Sequence, residues 1–157
     1  MPDKNIEKLQ YETYLKMIKN SIGTKLFNSL IVKFKNSGKI QDVCRNGQLS
    51  CATFVSSILY LNNYIDRPHA TVETTREKMI EAGRKKVLKN NFKFGDVVIW
   101  EEMKFGKNTN KHIGFVLNKK QAVSTDWRKK KVTKHHITYG VINNKPKRKI
   151  IEVYRIK

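Results

Sequence analysis

The chain has 157 residues, enough for one domain with a real apolar core and no need of disulfide staples. Its hydrophobic content of 39% and aromatic content of 10% exclude a disordered chain, and 33 Lys and Arg against 13 Asp and Glu leave a net charge of +20. Two cysteines, Cys44 and Cys51, form neither a disulfide framework nor a zinc array, and no apolar run approaches the ~20 residues of a membrane span.

Residues 5–20, "NIEKLQYETYLKMIKN", set Ile6, Leu9, Tyr14, Leu15 and Ile18 at helical intervals and predict an amphipathic helix ending near Asn20. The next stretch, punctuated by Gly23, Gly38 and Gly47, reads as irregular, with strand chemistry in "LIVKF". Residues 51–61 predict a helix, with Ala52, Val55, Ile58 and Leu59 at helical spacing, Ser50 as N-cap and Asn62–Asn63 as its end. A further helix follows in "RPHATVETTREKMIEAG", with Thr71 as N-cap and Gly83 as its stop. After Asn90 the period changes to two. A turn at Gly95–Asp96 leads into a buried strand, Val97 to Trp100. "KHIGFVL" alternates, with Ile113, Phe115 and Leu117 on one face and His112, Gly114 and Val116 on the other. "QAVSTDW" returns from a short turn, "VTKHHIT" follows "RKKK", and "KIIEVYRI" closes the chain. Helices first and antiparallel strands after are an α+β layout. Residues 1–157 read as a single domain, with 1–46 an N-terminal helix plus irregular extension.

Cys51 carries the functional question. As the first residue of a helix it sits where free backbone N–H groups and the positive end of the helix dipole favour a thiolate. The N–H groups of Cys51 and Ala52 are in place to hold an oxyanion during acyl transfer. A base is then required. His112 lies on the strand face opposite Ile113 and Phe115, and a helix laid on that open face would bring Cys51 to it. Either Ser124 or Asp126, depending on the hairpin register, would stand beside His112 as its orienting partner, and His135 and His136 are further candidates. His69, beside Pro68, reads as a turn residue, and Cys44 as an inert core or loop thiol.

In order, "LSCATFVSSIL", "FGDVVIW", "KHIGFVL" and "QAVSTD" resemble the NlpC-like and CHAP-type branch of the papain-like cysteine peptidases and amidases, over about Gly47 to Asp126. The resemblance implies helices packed on a small antiparallel sheet. It implies Cys51 as nucleophile, His112 as general base and then acid, and a third polar residue at or near Ser124. The implied activity is amide hydrolysis through an acyl-enzyme, on a peptide or peptidoglycan-like substrate, with no cofactor and no metal. Ser50 and Thr53 depart from the Asp and Gly usual just before and soon after the family's Cys.

The charge has two readings: attraction of the Lys-rich surface to a polyanion, or the Lys-, Asn- and Ile-rich composition of an AT-rich genome. The first supports a rival class, a nucleic-acid-binding domain using Phe92, Phe94, Trp100, Phe105 and Trp127 among lysines. A papain-like scaffold that has lost catalysis and serves as an interaction protein is the third. The opening "MPDKNIEKLQ" has no signal-peptide pattern, so the expected location is the cytoplasm, with export by another route left open.

Overall fold

The segment Cys51–Leu61 is apolar on nearly every side, and a helix of that kind has to be enclosed. The computed structural model, which describes residues 4–105 and 107–157, encloses it between a sheet and two further helices. Call it α2. Before it come α1 (Gln10–Asn20) and a small hairpin of β1 (Ile31–Lys33) and β2 (Ile40–Asp42); after it comes α3 (Val72–Glu81). The strands that follow are β3 (Lys85–Val87), β4 (Val97–Phe105), β5 (Asn108–Val116), β6 (Gln121–Asp126) and β7 (Lys131–His136). A second hairpin, β8 (Val141–Ile142) and β9 (Lys145–Pro146), precedes β10 (Ile150–Arg155). The main sheet has six strands in the order β3-β10-β4-β5-β6-β7, and every neighbouring pair is antiparallel. This is the α+β arrangement expected, with helices packed on a small antiparallel sheet.

Strand alternation splits the sheet into two faces. Val97, Ile99, Ile113, Phe115 and Val123 face the helices. Phe54 of α2 meets Phe115 edge-on at 5.4 Å, and Tyr14 of α1 meets the same ring at 5.8 Å. The other face carries Val98, Trp100, Val116 and Ala122, which pack with Val153 of β10 and with Ile137. The predicted alternation of β5 is correct, but the helix lies on the Ile113–Phe115 face, not on the face of His112. The bulkier apolar side chains are on that face, and α2 buries them.

Several boundaries differ from expectation. Helix α1 starts at Gln10, because Ile6 and Leu9 find no surface to pack on and stay exposed. Thr71 caps α3 as predicted, its hydroxyl accepting from the Thr74 N–H at 3.1 Å. β4 runs on past Trp100 to Phe105, with an irregularity in its pairing to β5 between Trp100 and Met103. β3 and the β8–β9 hairpin are unanticipated. In the latter, Asn143 and Asn144 take φ of 51° and 61°, the two left-handed positions of a tight hairpin turn.

α3 is tied to the sheet by charge. Glu152 on β10 accepts from Arg76 Nε at 2.5 Å, Lys86 Nζ at 3.0 Å and Tyr154 Oη at 2.8 Å. Burial alone would raise its carboxyl, but these donors hold it down at about 2. The contribution of Glu152 to stability is therefore complete above the ordinary carboxyl range near 4.5 and fades as pH falls toward 2. Urea titrations across that window should show wild type losing stability more steeply than Glu152→Gln, and parallel acid limbs would refute the clamp.

Candidate active site

Each side chain of the site is placed by a different element. Cys51 is the first residue of α2. Ser50 precedes it in the N-cap position, but its hydroxyl makes no capping bond and turns instead to the Gly47 carbonyl at 3.3 Å. The uncapped helix start thus leaves its N–H groups for the sulfur: those of Cys51 and Ala52 point to it, and so does the N–H of Ile113 on β5. Cys51 therefore meets β5 one residue from His112.

His112 lies on the second face of the sheet, directly across from Trp100 of β4. The two rings are 5.5 Å apart, and Trp100, fully buried, anchors itself by donating from Nε1 to the Ile137 carbonyl at 2.7 Å. His112 Nε2 lies 2.9 Å from Ser124 Oγ on β6. The register of β5 and β6 (Phe115↔Val123), continued by one pair, sets Gly114 beside Ser124, so His112 reaches it diagonally. Gly114 makes room for this. A Cβ there would come 2.4 Å from the Val123 carbonyl, 2.9 Å from Ser124 Cβ and 3.0 Å from Trp100 Cη2.

Of the two predicted partners of His112, Ser124 makes the hydrogen bond. Asp126 spends Oδ1 on the backbone N–H groups of Arg128 and Lys129, at 2.8 and 2.9 Å, and closes the β6–β7 turn. His135 joins the site, with Nε2 at 2.7 Å from Ser124 Oγ. His136 points the other way and accepts from the N–H groups of Thr138 and Gly140. His69 is buried under α2, where its backbone trades hydrogen bonds with Ser56. Cys44 is a free buried thiol 3.1 Å from Thr53 Oγ1.

Two residues of the cluster escaped the sequence reading. Tyr139 stacks on His135 at 4.0 Å and places its hydroxyl 3.0 Å from Ser124 Oγ. Arg148, only 5% exposed, donates from Nε to the Glu101 carbonyl and from Nη2 to the Asn110 carbonyl, each at 3.0 Å. Those carbonyls flank the irregular stretch of the β4–β5 ladder, where regular strand pairing is interrupted. Arg148 and Tyr139 each interact electrostatically with Cys51, and each also bears on His112, Arg148 by its charge and Tyr139 by ring contact at 6.1 Å. The lone signal for Arg148 was that Arg is scarce among the cations of this chain.

The electrostatics run against one expectation. A helix-start position predicts a lowered thiol, yet burial pushes the Cys51 thiol up, and the surrounding N–H groups and Arg148 only partly offset it. Burial, Arg148 and His135 together hold the His112 imidazole well below its ordinary 6.5. At neutral pH the site therefore rests as thiol and neutral imidazole, not as an ion pair. Among the described residues no three His, Cys, Asp or Glu side chains gather as a metal site.

Among the described side chains, the aromatic residues offered for base stacking do not form a platform. Trp100 is buried, Phe94 packs on the helix-side core, Phe92 on the other, and only Trp127 stands out, under Arg128. The side chain of Phe105 lies outside the described residues.

A family model described as the NlpC/P60 family matches residues 32–151, more than three quarters of the chain. The match spans Cys51, His112, Ser124, His135, Tyr139 and Arg148. No curated protein matches the chain.

Two outcomes follow from this geometry. Gly114→Ala should cost about 1–3 kcal/mol in urea unfolding, because a backbone carbonyl has to move for one methyl group; an unchanged midpoint would show that the strands give way freely. Iodoacetamide capture of Cys51, followed by mass spectrometry, should have its pH midpoint above the ordinary thiol value of about 8.5, and higher still in Arg148→Met.

Proposed function

This chain belongs to the NlpC/P60 family, a papain-like family of cysteine peptidases and amidases, and we propose that it hydrolyses peptide amide bonds through a Cys51–His112 acyl-enzyme mechanism. One observation carries the reading: the sulfur at the head of α2 meets β5 at Ile113, next to His112, and both groups share Arg148 and Tyr139 as neighbours.

The resting pair is neutral, so proton transfer and attack are coupled. His112 takes the Cys51 proton as the sulfur bonds to the substrate carbonyl carbon. The carbonyl oxygen becomes an oxyanion, and the N–H groups of Cys51 and Ala52 stabilise it. The positive charge of Arg148 favours the anionic species formed nearby. His112 returns its proton to the leaving nitrogen, the C–N bond breaks, and a thioester remains on Cys51. Water, deprotonated by His112, adds to the thioester, and the acid and free thiol are released. Ser124 holds the far nitrogen of His112 throughout.

The family association with peptidoglycan makes its stem peptides our proposed substrate class. The net charge of +20 supports it, since it would draw the protein to anionic wall polymers over distances set by ionic strength.

Purified chain incubated with peptidoglycan fragments should release new amino termini, read by mass spectrometry. Cys51→Ala should lower that rate by about a thousandfold or more while keeping the fold, because it removes the proposed nucleophile. No cleavage across a panel of stem peptides, with salt-sensitive nucleic-acid binding that survives Cys51→Ala, would transfer the assignment to the nucleic-acid-binding class.

A further inference from the structure

Ser124 Oγ stands within hydrogen-bond distance of three groups: His135 Nε2 at 2.7 Å, His112 Nε2 at 2.9 Å and Tyr139 Oη at 3.0 Å. A hydroxyl has one proton to give and two lone pairs to receive with. The far side of His135 decides where that proton goes. Its Nδ1 is 2.8 Å from the His136 carbonyl oxygen. A carbonyl accepts and cannot donate, so Nδ1 carries a proton. Burial pushes His135 down to about 4, so at neutral pH it holds no second proton. Its Nε2 is then a bare lone pair, and Ser124 must donate to it.

With its proton committed, the Ser124 oxygen only accepts. His112 and Tyr139 are therefore both donors toward it. His112 carries its proton on Nε2, and in the neutral ring Nδ1 is the basic nitrogen. Serine alone could not enforce this. Without His135, its hydroxyl could equally donate to His112 Nε2 and leave the proton on the wrong nitrogen. Stacking of Tyr139 on His135, at 4.0 Å and 17° between planes, holds the second imidazole in line for the task.

We propose that His135 is a positioning residue: the chain from the His136 carbonyl through His135 and Ser124 fixes His112 in the Nε2–H tautomer and so leaves Nδ1 free to act as the base. The catalytic consequence rests on the Cys51–His112 reading above; the proton positions do not.

Long-range proton–nitrogen NMR spectra of the whole 15N-labelled chain at pH 7 report each imidazole tautomer without any substrate. The expected result is His112 protonated on Nε2 and His135 on Nδ1. His135→Phe should bring up a His112 population protonated on Nδ1 and lower kcat about tenfold or more at unchanged KM, since a base with its proton on the wrong nitrogen cannot act. His135→Gln, whose side-chain oxygen can accept from Ser124, should restore both. A wild-type His112 protonated on Nδ1, or a His112 spectrum unaltered in His135→Phe, would overturn the proposal. If the Phe variant does not fold, the wild-type spectrum decides alone. Expected tautomers without amide hydrolysis would support the relay and sink the enzymatic function.

Discussion

The edge-on contact of Phe54 with Phe115 is the constraint on which the site depends. It seats α2 on the helix-side face of the sheet. Burial of two such rings is worth several kcal/mol, far more than any single polar contact in the site. Once that seat is fixed, the first residue of α2 arrives at the backbone of β5 beside Ile113. Tyr14 and Phe27 press on the same cluster from the N-terminal segment, Tyr14 against Phe115 and Phe27 against Phe54, so residues before the β1–β2 hairpin help hold the sulfur in place.

The site is a half-buried polar cluster, with Ser124 and Arg148 at its buried side, and its titratable groups are shifted accordingly. Burial acts on all of them in the direction of neutrality: the Cys51 thiol and the Tyr139 phenol are raised, and the His112 and His135 rings are lowered. Arg148 alone keeps its charge there, because its guanidinium is effectively never deprotonated and two backbone carbonyls receive it. A fixed cation among neutral groups favours whichever of them becomes an anion, and Cys51 is the one with N–H donors already aimed at it. The helix terminus is thus set to act on the charge as it forms, not on the resting thiol.

Much of this was legible in the residues. Helices α2 and α3, the alternation of β5 and the polar return of β6 follow from periodicity and turn chemistry, because each is a local property. Cys51, His112 and Ser124 could be singled out because a helix start, a strand phase and a hairpin return are also local. What could not be read was which face α2 would cover, since both faces of β5 carry apolar groups and only three-dimensional volume separates Phe115 from Val116. The start of α1 was overestimated for a related reason: Ile6 and Leu9 have helical spacing, but no neighbour to reward it. Tyr139 and Arg148 come from an irregular stretch around a hairpin whose Asn143–Asn144 turn went unrecognised, so nothing nearby in sequence announced that they would fold back over the site.

On β5 the hydrocarbon core and the polar cluster are interleaved residue by residue: His112, Ile113, Gly114, Phe115. A slip of a single position would trade them, driving an imidazole into the helix-side packing and offering an isoleucine to the serine on β6. Misalignment of this strand therefore cannot yield a stable but idle protein. Lengthening or shortening β5 by one residue inside this tetrad would disrupt folding and chemistry together.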